Sequence, residues 1–194
     1  MGRDWQSPIG NFYGSILVRL RPEDPLPPTL AFVAALAVYD ALKEVAPQLD
    51  LLIKWPNDIL SGGAKISGIL LERRDDAVII GMGINLAFHP QGLGRPVTSL
   101  SALGASPPTP QEFQPILALS FSHWLGLWRA GGLPDILAAW QAQAHAKGTP
   151  LSVHLPDGQS IEGVFDGLDV QGALQLRLAD GAVRAIHAGD VFLI

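Results

Sequence analysis

The order of apolar and polar positions divides the chain into two parts. Up to about residue 147, the apolar residues follow the spacing of β-strands in some segments and the spacing of α-helices in others. From Gly148 onward only short strand-like runs occur, separated by turn-forming residues. Such a change indicates two structural units. We therefore predict a first domain at 1–147 and a smaller second domain at 148–194.

The first part alternates predicted strands and predicted helices. Runs rich in β-branched and aromatic residues predict strands at Phe12–Leu20, Leu51–Trp55, Ile66–Arg74 and Ala77–Ile84. Apolar residues at helical spacing predict helices at Thr29–Ala46, Gln111–Ala130 and Pro134–Ala146. Thr29 is expected to cap the first of them. Because most strands follow one another through short turns, the fold class is α/β of the α+β type, with a mixed, mainly antiparallel sheet and flanking helices.

The second part predicts only strands. Five short apolar runs are separated by Asp-Gly and similar turn residues: Leu151–Leu155, Ile161–Leu168, Ala173–Leu178, Val183–Ile186 and Val191–Ile194. Several short strands at such regular spacing are typical of a small β-barrel or sandwich. We expect such a unit to be attached to the first domain.

Composition narrows the classes of function. With 13 Lys+Arg against 18 Asp+Glu and a net charge of -5, the 194-residue chain has no basic field for a nucleic-acid backbone. It contains 0 cysteines, which excludes disulfides, thiolate metal sites and cysteine nucleophiles. Neither a signal peptide nor an apolar run long enough to span a membrane is present. A cytoplasmic protein is therefore expected.

Lys65 is the first candidate for chemistry. It precedes an apolar strand and lies between Gly62-Gly63 and Gly68, where missing side chains let a ligand approach the backbone. An ammonium there suits an α-phosphate or the carboxylate that attacks it, since negative charge builds in the transition state. The alternative is a solvated lysine at the start of a strand.

A second candidate is Lys54-Trp55-Pro56-Asn57-Asp58, which places an aromatic ring, an amide and a carboxylate on one turn. Asp58 beside a phosphate site could hold Mg²⁺, and the indole of Trp55 could stack on a bound ring or close the pocket. The alternative is an ordinary turn formed by Asn and Asp with a packed tryptophan.

A third candidate is Gly81-Met82-Gly83-Ile84-Asn85 at the end of a predicted strand. A ligand could lie against the glycine backbone and bond Asn85, or the glycines could form a bulge. Neither a dinucleotide fingerprint nor a phosphate-binding P-loop occurs, and no G-x-S-x-G elbow is present. The 5 histidines are too dispersed for a typical metal site.

Taken together, these segments resemble a known family. Lys-Trp-Pro-Asn-Asp, then Lys-x-x-Gly-Ile-Leu-x-Glu from Lys65, then Gly-x-Gly-Ile-Asn from Gly81, closely resemble the catalytic domain of biotin protein ligases, which has a class II synthetase-type sheet. The resemblance extends to Gly2-Arg3-x-Trp5-x-Ser7-Pro8, which looks like the family's arginine-rich adenylate loop. It also includes Gly189-Asp190-Val191, which looks like part of its small C-terminal barrel.

The resemblance implies a two-step ligase that uses biotin, ATP and Mg²⁺. Biotinyl-adenylate forms first, and a lysine of the biotin carboxyl carrier protein of acetyl-CoA carboxylase then takes the biotin. Lys65 would be the catalytic lysine at the biotin carboxyl and the α-phosphate. The remaining positions carried over are Asn57 and Asp58 at the adenylate and metal, Trp5 over the adenine, Arg3 in the loop, and Gly68, Gly83 and Asn85 on the nucleotide side.

The family pattern also implies a Ser/Thr-rich biotin-binding segment and a helix upstream of the position that is Met1 here. We therefore expect much of the biotin pocket and some sheet strands to be missing, which leaves an open sheet edge and a possible homodimer surface. The DNA-binding domain of repressor-type members is not expected. Two alternatives to a biotin ligase follow: a non-catalytic remnant that binds nucleotide or carrier, and a related lipoate or acyl ligase.

Overall fold

The computed structural model describes residues 7–92 and 94–194. The first sheet contains β1 (Phe12–Arg19), β2 (Leu51–Lys54), β3 (Asp58–Ser61), β4 (Ala64–Arg74) and β5 (Ala77–Ile84). The helices are α1 (Leu30–Val45), α2 (Pro110–Arg129) and α3 (Leu133–Ala142). The second sheet contains β6 (Pro150–His154), β7 (Ser160–Leu168), β8 (Leu174–Arg177), β9 (Val183–Ile186) and β10 (Asp190–Leu193). Within the described ranges, no helix is long and apolar enough to cross a membrane.

The first sheet has the strand order β1-β5-β4-β3-β2, and every neighbouring pair is antiparallel. Strands β2 to β5 follow one another directly, which confirms the predicted mixed α and β fold with a mainly antiparallel sheet. Asp75 adopts a positive φ of 51° in the tight turn between β4 and β5, a conformation that Asp tolerates better than most residues. Strand β3 was not predicted, because four residues between two turns carry too little pattern.

Helix α1 forms the centre of the core. It contacts β2, β3 and β4 on one side and α2 and α3 on the other. Consequently 11 of its 16 residues are buried, and a helix covered on several sides must be apolar around most of its circumference. Its alanines allow the neighbouring elements to approach closely.

Thr29 does not cap α1, so that prediction was wrong. Its backbone is already helical and its side chain makes no capping bond, because a short 3₁₀ turn (Pro27–Thr29) precedes the helix. The buried hydroxyl donates to the Leu26 carbonyl at 2.6 Å. It also accepts the indole N–H of Trp128 at 2.8 Å, which links α1 to α2.

We expect Thr29→Val to lower the free energy of unfolding by about 1–3 kcal/mol, because it leaves the fully buried Trp128 indole N–H without an acceptor. Thr29→Ser keeps the hydroxyl and is expected to cost less. Urea unfolding followed by tryptophan fluorescence measures both variants. Equal stability of the two would contradict a role for this hydrogen bond.

The second sheet has the order β10-β6-β7-β8-β9. Among the described residues β9 and β10 do not pair with each other, so the expected C-terminal β unit is present as an open sheet and not as a closed barrel. The outer strands β8, β9 and β10 have only 4 residues each, and closure requires continuous pairing around the ring. Its buried face includes Leu151, Phe165 and Val191, which belong to the same apolar cluster as the first sheet and α1. The division at residue 147 stays a prediction.

Candidate functional site

One row of residues crosses the first sheet from edge to edge. Tyr13 is paired with Gly83, Gly83 with Gly68, Gly68 with Asp58, and Asp58 with Lys54. Directly paired residues of antiparallel strands share one face of the sheet. The row therefore has bare backbone at its centre, a tyrosine on one side and charged side chains on the other. We call it the glycine row.

The face of the sheet opposite the glycine row belongs to the core. Met82, Ile84 and Ile69 alternate with the glycines along β4 and β5, and all three are buried. The alternation explains why two glycines can leave bare backbone on one face without weakening the packing of the other. The sheet thus presents this bare backbone on the face away from α1.

A β-bulge brings Lys65 to the same face as Gly68. In β3, Ile59 is paired with Ser67 and the next residue, Leu60, is paired with Lys65, so Ile66 is an extra residue in β4. Without a bulge, residues three apart on a strand point to opposite faces. The extra residue reverses this alternation, and the Lys65 ammonium lies next to the Gly68 backbone.

Two lysines share the carboxylate of Asp58. The Lys65 Nζ donates to Asp58 Oδ1, and the Lys54 Nζ lies 3.4 Å from Asp58 Oδ2. The side chains of Lys65, Asp58 and Lys54 are 21%, 13% and 18% exposed. Two ammonium groups against one carboxylate leave a net positive charge, which favours an anionic ligand.

Burial lowers the pKa of Lys65 from its ordinary value. The charge and hydrogen bond of Asp58 oppose this shift, whereas the positive charges of Arg95 and Lys54 add to it. Burial disfavours the ammonium form, and a negative ligand near Lys65 would favour it again. The arrangement can therefore stabilise negative charge that develops over the glycine row.

Gly68 leaves free the space that the Lys65 ammonium occupies. A Cβ atom at this position would lie 2.8 Å from the Lys65 Nζ and 2.9 Å from its Cε. Contacts this short do not occur for real Cβ atoms, so any side chain at position 68 displaces the ammonium. The predicted link between Lys65 and the following glycine therefore has a geometric basis.

The two predicted asparagines lie next to the glycine row, and both donate to the main chain. The Asn57 Nδ2 donates to the Ile69 carbonyl of β4 at 2.7 Å. The Asn85 Nδ2 donates to the Thr98 carbonyl at 2.9 Å, and the Asn85 backbone N–H donates to the Ile66 carbonyl beside the bulge. In this structure, both side chains fix the backbone that shapes the site.

Trp55 does not face the glycine row. Its side chain is buried, with 5% of the residue exposed, and its Nε1 donates to the Gly172 carbonyl at 3.0 Å. An indole held in this way fits the alternative of a packed tryptophan, and a contact between Trp55 and a ligand stays a prediction. The turn after it contains a cis peptide bond before Pro56.

The residues around Asp58 do not fit a protein-held Mg²⁺ ion. Both of its oxygens face an ammonium group, and the described part of the chain contains no group of three or more acidic or histidine side chains that could hold a metal ion. A divalent cation usually needs more oxygen ligands than one carboxylate provides. We therefore assign no chemical step to a metal held by Asp58.

Two predicted positions, Arg3 and Trp5, lie outside the described residues. Two residues of the glycine row, Tyr13 and Lys54, were not among the predicted site residues. Alternation along β1 places Tyr13 on the outer face, but only the register with Gly83 brings it to the site. Pairing between strands distant in sequence is not visible in a local pattern.

Family models match both parts of the chain. Residues 1–85 match the biotin/lipoate A/B protein ligase family, and residues 152–194 match the biotin protein ligase C terminal domain. The biotin–[acetyl-CoA-carboxylase] ligase of Paracoccus denitrificans is 38% identical, and the alignment covers 98% of this chain and 83% of that protein. The chain belongs to the biotin protein ligase family.

Further relatives agree with this placement. The biotin–[acetyl-CoA-carboxylase] ligase of Mycobacterium tuberculosis is 32% identical over 84% of this chain, although the match spans only 61% of that protein. The biotin protein ligase of Aquifex aeolicus in complex with biotin and ATP has the same fold, with a TM-score of 0.88, 23% identity and coverage of 100% of this chain and 83% of that one. The ligase of Leishmania major in complex with biotinyl-5-AMP has a TM-score of 0.61, with 28% identity and coverage of 97% and 82%.

Proposed function

We propose that this chain is a ligase that forms biotinyl-5′-adenylate from biotin and ATP and transfers the biotin to a lysine of the biotin carboxyl carrier protein of acetyl-CoA carboxylase. Family membership and the names of the relatives support the substrates. The position of the Lys65 ammonium, beside the Gly68 backbone on the open face of the sheet, supports the chemistry.

In the first step, a carboxylate oxygen of biotin attacks the α-phosphorus of ATP and pyrophosphate leaves. Negative charge increases on the phosphoryl oxygens in the transition state, and a fixed ammonium lowers its energy. Lys65 is the group that supplies this charge. The glycine row lets the two substrates lie close to the sheet backbone, so that positioning contributes as well.

In the second step, the amine of the carrier lysine attacks the acyl carbon of biotinyl-adenylate. An amide bond forms, AMP leaves, and the amine loses a proton. Lys65 stabilises the departing phosphate by the same charge. The nucleotide side of the site is lined by Gly83, Asn57, Asp58 and Asn85. Mg²⁺ enters the site bound to ATP.

We place the activity in the cytoplasm, with Arg3 and Trp5 at the adenylate. A homodimer through an open sheet edge and the lack of DNA contacts also stay predictions, as does the division into domains at residue 147.

The experiment mixes the full chain with ATP, Mg²⁺ and either biotin or lipoic acid, and measures pyrophosphate release and transfer to a biotin carboxyl carrier domain or a lipoyl domain. We expect release and transfer with biotin and its carrier. Preference for lipoic acid would indicate the related acyl ligase. A folded chain that activates neither acid would refute the proposal and leave the alternative of a non-catalytic remnant.

A further inference from the structure

The segment that leads to Asp58 of the glycine row is attached at two points to the C-terminal unit, which contains β6 to β10 and their turns. The Lys54 Nζ donates to the Val191 carbonyl of β10 at 3.0 Å, and the neighbouring Trp55 Nε1 donates to the Gly172 carbonyl. The Lys54 ammonium also lies 5.8 Å from the centre of the Phe192 ring, within the range of a cation–π interaction. The C-terminal unit therefore holds the ammonium of Lys54.

The same ammonium faces the site. Lys54 and Asp58 are direct partners on β2 and β3, with the Lys54 Nζ 3.4 Å from Asp58 Oδ2. The other oxygen of Asp58 accepts from Lys65. A continuous chain of polar contacts thus runs from β10 through Lys54 and Asp58 to Lys65. Only 18% of the Lys54 side chain is exposed, so solvent weakens these contacts less than those of a surface lysine.

We propose that Lys54 is a positioning residue that couples the C-terminal sheet to the active ammonium. It fixes the Asp58 carboxylate relative to β10, and Asp58 in turn fixes Lys65 beside Gly68. The C-terminal unit therefore contributes to the first step of the reaction through this contact. The inference about catalysis rests on the proposed ligase function, whereas the electrostatic coupling of the two lysines does not.

Few other charged groups lie near the polar contacts that connect β10, Lys54, Asp58 and Lys65. Lys65 is influenced by Asp58, Lys54 and Arg95. Lys54 also faces His145, which follows α3 and is 8% exposed. Burial and the charge of Lys54 both lower the pKa of His145, so this histidine favours its neutral form. Removing the charge of Lys54 should therefore raise the pKa of Lys65, because one nearby cation is lost.

The test compares Lys54→Met, which keeps most of the aliphatic stem, with Lys54→Arg, which keeps the charge. For Lys54→Met we expect kcat/KM for biotinyl-adenylate formation to fall about tenfold or more, since a hydrogen-bonded charge is lost. The fall should lie mainly in kcat, and the alkaline limb of the pH profile should move to higher pH. Lys54→Arg should keep both kcat/KM and the alkaline limb of the pH profile close to those of the wild-type chain. Lys54→Gln can still donate to Val191 and serves if Lys54→Met does not fold.

The matched control is Lys43→Met. Lys43 also donates to main-chain carbonyls, those of Pro47 at 2.7 Å and Leu49 at 2.9 Å, but it has no contact with Asp58 among the described interactions. This variant should lose stability and keep the wild-type rate and pH profile. Overlapping pH profiles and rates for Lys54→Met, Lys54→Gln and Lys43→Met would overturn the proposal.

A second measurement is independent of catalysis. Nitrogen NMR of the lysine side chains follows the titration of Lys65 in the wild-type chain and in the Lys54 variants. The proposal expects Lys65 to titrate at higher pH in Lys54→Met and Lys54→Gln, even if the wild-type chain ligates nothing. An unchanged titration would refute the coupling without bearing on the ligase function.

Discussion

Replacing Lys65 by alanine is expected to slow biotinyl-adenylate formation by about 100- to 1000-fold, the usual effect of removing a fixed donor that stabilises transition-state charge. The ammonium lies at the edge of the glycine row, 2.8 Å from the position that a Cβ at residue 68 would take. Single-turnover release of pyrophosphate measures the step directly. The transfer step should be slowed too, because AMP is then the leaving group and Lys65 stabilises the charge on its phosphate.

The fold should survive this substitution. Lys65 is near the start of β4, and its main chain bonds Pro96 and Thr98 independently of the side chain. Asp58 keeps Lys54 as a partner, so no carboxylate is left unpaired. Lys65→Arg is the control, since it keeps the charge but places a larger, planar group beside Gly68, and we expect an intermediate rate. Wild-type rates for Lys65→Ala in a folded chain would contradict the assigned role.

The pH dependence of the wild-type chain follows from the same residue. The pKa of Lys65 is lowered, chiefly by burial, and the ammonium is the active form. Activity should therefore be lost, as pH rises, at a lower pH than for an ordinary lysine. Lys65→Arg should lack this alkaline limb, because a guanidinium does not lose its proton in the accessible range.

Much of the fold and part of the site could be predicted from local sequence. The hairpin at Asp75-Asp76 and the strands of the second sheet are specified by turn residues and by alternation, which act over a few positions. The nearness of Lys65 and Gly68 along the chain was also evident, since both lie in one short segment, but their place on one face was not, because it depends on the bulge. The features that were predictable depend on backbone geometry that neighbouring residues determine.

The parts that were missed depend on contacts between residues distant in sequence. Trp55 donates to a residue 117 positions away and Lys54 to one 137 positions away, so both contacts join the turn before Asp58 to the C-terminal unit. The hydroxyl of Thr29 bonds an indole 99 positions away. No local pattern contains such pairings, because they are decided only when elements distant in sequence pack together.

The bulge at Ile66 was also not predicted, for a different reason. One extra residue reverses the faces of β4, and the sequence around it reads as a continuous strand. The reason for the bulge lies in the pairing with β3, and its consequence is that Lys65 and Gly68 share a face. Bulges often redirect a side chain at a functional site, and here the redirected side chain is the candidate catalytic lysine.

The position of the Lys65 ammonium, as distinct from its presence, is tested by Gly68→Ala. We expect this variant to lose about 100-fold in adenylate formation, the scale on which a misplacement of about 1 Å acts. The added Cβ would lie 2.8 Å from Lys65 Nζ, and the next atom beyond Lys65 is Asp58 Oδ1 at 3.7 Å. The mobile end of a lysine can move aside, so the cost should appear in the rate and the free energy of unfolding should change by less than about 1 kcal/mol.

The matched control is Gly126→Ala in α2, where a Cβ would meet nothing within 4 Å. Alanine there should stabilise the helix by about 0.5–1 kcal/mol and leave the rate unchanged. If Gly68→Ala instead unfolded the chain, the glycine would be required for packing; if its rate equalled that of Gly126→Ala, the ammonium would not act from its place beside Gly68. A slow but stable Gly68→Ala would show that the bulge, the glycine and the lysine form one functional unit, because the lysine is unchanged in that variant and only its position differs.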